Sequence, residues 1–260
     1  MELVLIGLAA LLASGLTLFS GFGLGTLLMP VFALFFPLPL AIAATAVVHL
    51  ANNLFKFALL ARQASWSVVA RFSLPAAGFA VLGAASLAFF DRLPPLYQYR
   101  LADSLVEVSV VKLVIGSLII LFALLELSAR FQTLAVPPRW LPLGGALSGF
   151  FGGLSGNQGA LRSAFLLRAG LSKEAFVATG VVSAVIVDAV RLLVYGGALL
   201  AGQFAQLQVL ALPVAVGTLC AFGGAFAGTR LLPKVTLRTV QLLVASAMLA
   251  IGGGLLLGLL

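Results

Sequence analysis

Residues 3 to 36 carry no charged side chain. As a single helix this run would measure about 50 Å, against a bilayer hydrocarbon core of about 30 Å. It must bend, break or fold back, and the break is visible as Gly21-Phe22-Gly23-Leu24-Gly25. Pro30 interrupts the second arm and Pro37-Leu38-Pro39 ends it. The device recurs between Leu147 and Ala169, where Gly149, Gly152, Gly153, Gly156 and Gly159 fall within eleven residues, followed by an apolar run carrying Arg162. Glycine weakens a helix and leaves backbone amides open. At membrane depth, open backbone is tolerated only against protein or a water-lined cavity. The start of a half-helix beside a cation is an anion site in outline.

The rest of the chain fits a membrane. It is 62% hydrophobic and 8% charged, with a mean hydropathy of +1.22, whereas soluble domains carry about 25% charged residues. The length suits one polytopic membrane domain of about eight hydrophobic segments. The net charge of +8 is spread singly between apolar runs, as the positive-inside rule expects, so the lipid bilayer rather than nucleic acid is the expected partner. Cys220 is the only cysteine, which excludes an intramolecular disulfide and a cysteine metal site. One histidine and no carboxylate cluster argue against any metal, and no cofactor is expected. The start, Met1-Glu2-Leu3, lacks the basic segment of a cleaved signal peptide, so the first segment is expected to be retained.

Along the chain, residues 40 to 60 form a segment in which Thr45, His49, Asn52, Asn53 and Lys56 share one helix face. Such a stripe must face protein or water. Arg62 to Arg71 reads as a polar link with Trp66 as an interfacial anchor, and residues 68 to 90 as a third segment kinked near Pro75 and Gly78. Residues 91 to 110 read as an interfacial loop or short surface helix, with Tyr97 and Tyr99 at headgroup level, leading into a segment near 110–127. Residues 175 to 195 form a helix bearing Thr179, Ser183, Asp188 and Arg191. Gly196 to Gln208 is an uncharged link, and Arg230 to Arg238 a basic one.

The two halves match. Adding 134 carries Ser14-Gly15 to Ser148-Gly149, Gly25 to Gly159, Ala41 to Ala175 and Thr45 to Thr179. With a few residues inserted, Pro75 meets Pro213, Gly78 meets Gly217 and Leu93-Pro94 meets Leu232-Pro233. The expected organisation is membrane repeat 1 over 1–127, a linker over 128–140 and membrane repeat 2 over 141–260. The basic links fall on opposite sides in the two halves, which predicts inverted repeats. The expected fold is therefore an all-α integral membrane protein. Each half would hold a broken glycine-rich helix or re-entrant hairpin plus three transmembrane helices. Eight ordinary spans in parallel halves is the alternative.

The break at Gly21–Gly25 with Pro30, the Ala44-Thr45 pair, and a second copy around Gly152–Gly159 with Ala178-Thr179 resemble the TauE/SafE sulfite exporter family over nearly the whole chain. The resemblance implies a small-anion transporter of the bacterial inner membrane. Its substrates would be sulfite, sulfoacetate or other organosulfonates. Here the second break reads Gly156-Asn157-Gln158-Gly159 rather than a plain triple glycine, and Arg162 stands where the family carries an apolar residue.

The candidate anion ligands are Gly23, Gly25 and Thr26 at the first break and Ser155, Asn157, Gln158, Gly159 and Arg162 at the second. Each half-helix terminus behaves as roughly half a positive charge. Glycines also permit close helix packing, which is the competing explanation. Arg162 suits bidentate binding of a sulfonate, or else pairs with a carboxylate such as Asp188. Thr45 and Thr179 offer hydroxyls, as Asn52 and Asn53 offer amides, to the anion or to neighbouring helices. His49, Lys56, Asp188 and Arg191 are candidates for coupling or for lining the path; Asp188 and Arg191, at i and i+3, also form an expected ion pair. The favoured function is a secondary transporter of a small sulfur-containing anion driven by an ion gradient. An anion channel and an intramembrane enzyme using Ser155 and His49 are the alternatives. The expected partners are the small anionic substrate and lipid, and the sequence allows a homodimer.

Overall fold

The computed structural model describes residues 1–20, 24–102, 104–134, 136–198, 204–231 and 237–260. Its elements are α1 (Glu2–Ser20), α2 (Leu24–Ala33), α3 (Leu38–Leu60), α4 (Trp66–Asp91), β1 (Tyr97–Leu101), β2 (Ser104–Val108), α5 (Val110–Leu127), α6 (Ala129–Gln132), α7 (Leu141–Ser155), α8 (Gly159–Leu166), α9 (Lys173–Ala198), α10 (Phe204–Leu231) and α11 (Leu237–Leu256). Single 3-10 turns, Ala61–Gln63 and Pro138–Trp140, precede α4 and α7. Among the described residues, five helical stretches are long and apolar enough to cross a membrane: Leu38–Gln63, Trp66–Asp91, Val110–Leu127, Lys173–Gly197 and Gln208–Ala227. The chain is thus a multi-pass membrane protein with a mainly helical fold. Large side chains such as Leu59, Leu74, Phe89 and Leu193 point outward, as a lipid-facing surface requires.

Prolines set the entries. Pro39 lies in the first turn of α3 and Pro142 in that of α7, where a missing amide costs no helix hydrogen bond. Ser109 starts α5 by accepting the Lys112 amide at 3.4 Å.

Two expectations are corrected. The stretch read as an interfacial loop or surface helix contains an antiparallel hairpin, with Tyr97 opposite Val108 and Tyr99 opposite Val106. Its aromatic and β-branched residues alternate with period two, which suits a strand. The polar link also ends early: α4 begins at Trp66, so Arg71 lies within the helix and donates from Nη2 to Pro138 O at 3.3 Å.

Helix directions follow from the close approaches. Phe72, Ala76 and Ala80 of α4 meet Gly145, Gly149 and Gly153 of α7 in the same order, so these helices run parallel. Gly7 and Leu11 of α1 likewise meet Cys220 and Gly224 of α10 in order. By contrast α5 and α11 run antiparallel, with Gly116 on Gly252 and Glu107 on Gly258. So do α3 and α9: the turn after α3 reaches the start of α9, where the Ser65 amide donates to Thr179 Oγ1 at 3.0 Å, while His49 meets Asp188 further along.

Contacts also join α7 to α8 and bring α1 and α2 to one glycine of α10. Gly144 near the start of α7 lies against Phe165 near the end of α8, and the Val136 amide donates to Ala164 O at 3.3 Å. Ile6 of α1 and Phe32 of α2 both reach Gly217.

The glycines of α7 divide by task. A Cβ on Gly149 would stand 2.1 Å from Ala76 O, and one on Gly153 2.2 Å from Ala80 O. Both are backbone obstacles, so packing is the role of these two. Gly149→Ala is expected to force α4 and α7 apart and cost about 1–3 kcal/mol, as overpacking does. Unfolding in detergent checks this. Gly78→Ala is the control, since its Cβ meets nothing within 4 Å.

Candidate functional site

The polar stripes of α3 and α9 meet. Thr45, His49, Asn52 and Asn53 on α3 are buried, as are Thr179, Ser183, Asp188 and Arg191 on α9. Asp188, fully buried, gathers three donors. His49 Nδ1 lies 2.5 Å from Oδ2, Arg191 Nη2 2.8 Å from Oδ1, and Gln158 Nε2 donates to Oδ1 at 3.1 Å. With Nδ1–H directed at the carboxylate, His49 Nε2 is left to accept from Asn53 Nδ2 at 3.3 Å. A buried carboxylate is tolerable only with such company.

The second break sits on this cluster. Helix α7 ends in Gly156 at φ 82°, a left-handed position that glycine takes without strain. Arg191 Nη1 donates to Gly152 O at 3.2 Å, Tyr195 OH donates to Gly153 O, and Ser148 Oγ donates to Gln158 O at 3.1 Å. Two α7 residues are thereby tied to α9, and Ser148 ties α7 to its own turn. The start of α2 also comes close to this turn. A Cβ on Gly25, in the first turn of α2, would stand 3.6 Å from Thr45 Cγ2, 3.7 Å from Gly156 O and 4.0 Å from His49 Cδ2. Around this junction Thr45 Oγ1, Asn157 Nδ2, Gln158 Oε1 and Arg191 Nε are buried without a hydrogen-bond partner. Buried polar groups are ordinarily paired, so the junction has unused donors and, in Gln158 Oε1, an unused acceptor. Its side chains are 6% exposed or less, and the centre is closed in this state.

A family model for the sulfite exporter TauE/SafE matches residues 5–255. The chain belongs to the TauE/SafE family. No curated protein and no solved structure matches it. Membership makes it a membrane transport protein.

Within this TauE/SafE chain the sequence candidates separate into groups. Gly25, Thr45, Asn53, His49, Asn157, Gln158, Asp188 and Arg191 come together. Gly23 lies outside the described residues, as does most of the first break, and of Thr26 only its place in α2 is described. Gly159 opens α8 beside the turn. Ser155 donates to Phe151 O at 3.0 Å, within its own helix. Asn52 accepts from Ser14 Oγ at 3.4 Å. Thr179 is remote, about two and a half turns from Asp188 on α9. It accepts the Ser65 amide, and its carbonyl accepts from Ser183 Oγ at 2.8 Å.

Arg162 is displaced from its expected place at the break. The turn reverses the chain, and α8 carries this side chain to α9, where Nε lies 3.6 Å from the position of a Cβ on Gly180. Arg191 supplies the guanidinium at the turn instead. Arg162 stands within electrostatic range of both Lys56 and Asp188, and its Nη1 is buried without a partner. Lys56 lines a cavity of about 400 Å³ with Gln63, Lys173 and Glu174 at the end where α3 finishes and α9 starts. Sequence reasoning missed the His49–Asp188 contact, Tyr195, Ser14 and the Gln158 bond. The first had a signal, since two polar stripes in an apolar protein have little to face but each other.

Proposed function

We propose that the chain is a secondary transporter of a small sulfur-containing anion, sulfite or an organosulfonate, in the bacterial inner membrane. Its binding site is the junction of the two hairpin tips, and an ion gradient drives it. The observation that carries this reading is the approach of Gly25 to Gly156, with Arg191 Nε, Asn157 Nδ2 and Thr45 Oγ1 buried and unpaired beside them. Donors without acceptors suit an oxyanion. The directions of the packed helices support inverted repeats. Elements that correspond under the 134-residue offset, α3 with α9 and α5 with α11, pack antiparallel, and α1 sits on α10 as α7 sits on α4. Re-entrant hairpins α1–α2 and α7–α8 leave three spans per half, the odd number that inversion needs.

Ser155 Oγ donates to Phe151 O within its own helix, and His49 bonds Asp188 and Asn53, which supports transport over the enzyme alternative. Arg162 and Lys56 form the approach from the cavity. Counterflow of labelled sulfite or ethanesulfonate into proteoliposomes tests the reading: carrier exchange is expected, and no exchange with any organosulfur anion would refute it. Arg162→Ala is expected to leave the fold intact and weaken anion affinity several-fold, as loss of a cation on the approach to an anion site does. Thermal shifts with sulfite, sulfate, thiosulfate, sulfoacetate and taurine read both quantities.

A further inference from the structure

We propose that the His49–Asp188 couple is the proton-coupling site of this transporter and takes up one proton with each anion. The inference rests on the transport reading above and adds the identity of the coupling ion. The two side chains come from opposite halves of the chain and touch at 2.5 Å, with His49 5% and Asp188 0% exposed. The charged and titratable groups that face them, among the described residues, are Arg191 and Tyr195 on α9, Arg162 on α8 and Lys56 on α3 itself. From α7 come only the carbonyls of Gly152 and Gly153, already engaged by Arg191 and Tyr195.

The coupling follows from competition for one guanidinium. Arg191 is held by Asp188 at 2.8 Å, while its Nε has no partner. An anion docking at that free Nε leaves one guanidinium to offset two negative charges, and an uncompensated charge in a dry interior is strongly unfavourable. A proton received by the His49 imidazole, which lies 2.5 Å from the carboxylate, cancels that charge. No other bond forms or breaks. Anion and proton therefore each strengthen the binding of the other, which is the thermodynamic content of symport. Gln158 carries the change to the hairpin tip, because its amide bonds Asp188 Oδ1 and it is part of the turn itself. The loaded site has the same net charge as the empty one, so both can reorient without a changed electrostatic cost.

The test uses the full-length protein in proteoliposomes, with whichever of sulfite and ethanesulfonate shows counterflow. Ethanesulfonate keeps one charge throughout the neutral pH range, which removes substrate titration as a source of pH dependence. In the wild type, an acidic exterior is expected to drive uptake above equilibration, with about one proton entering per anion on a trapped pH dye. Apparent affinity is expected to rise up to tenfold per unit fall in pH, as linkage of one proton requires. In His49→Gln the remaining exchange should not respond to a pH gradient beyond substrate speciation. Wild-type counterflow without any response to the gradient would overturn the coupling while leaving the transport reading standing. A His49→Gln protein that still accumulates anion on a pH gradient would overturn the assignment to this couple. Absence of counterflow with every organosulfur anion would overturn both.

Discussion

Asp188→Ala is expected to remove about 3–5 kcal/mol of folding stability, the range for breaking a buried ion pair by deleting one partner. The carboxylate is fully buried, and Arg191 beside it is fully buried too. Its loss strands a guanidinium whose Nε already lacks a partner and leaves Gln158 Nε2 and His49 Nδ1 without their acceptor. The pair also joins the two halves, since His49 is on α3 and Asp188 on α9. The double variant Asp188→Leu with Arg191→Leu is expected to cost less than the sum of the single changes, with a coupling of about 0.5–3 kcal/mol. Denaturant unfolding in detergent measures the wild type, Asp188→Ala, Asp188→Leu, Arg191→Leu and the double variant. A change of less than half a kilocalorie for Asp188→Ala would mean that water reaches the cluster and the site is open.

Gly25→Leu is expected to abolish transport while Gly25→Ala preserves most of it. The nearest atom to a Cβ at Gly25 is 3.6 Å away, ordinary van der Waals contact. Alanine therefore fits. Leucine adds three carbons aimed among Thr45, Gly156 and His49, filling the junction at a cost of about 1–3 kcal/mol for overpacking. Transport is expected to fall at least a hundredfold, read by counterflow, with detergent melting confirming the fold. Equal transport by both variants would place the anion elsewhere.

Much of this arrangement was legible in the residues, and the failures have physical causes. The α3 stripe follows from helical spacing, and the division of residues 3 to 36 into α1 and α2 follows from length and the glycine run. The partner of His49 does not follow. The offset that matches the halves pairs it with Ser183, but antiparallel helices run their positions in opposite directions, so equivalent residues face each other only at the crossing point. Arg162 lies beside Gly180 on α9 and not at the turn for a related reason: a left-handed Gly156 turns the chain between the break and α8. The hairpin at Tyr97–Val108 was hidden by its polarity, although its period-two alternation was present.

The central claim is that the meeting point of α2 with the α7–α8 turn holds the anion. Selenite, a heavier isostere of sulfite, gives the most direct measurement: anomalous diffraction from crystals of the protein soaked in it. The account predicts a selenium peak between Gly25, Asn157 and Arg191, absent from crystals of Gly25→Leu. A peak confined to the cavity beside Lys56 and Lys173, with none at the hairpin tips, would contradict it.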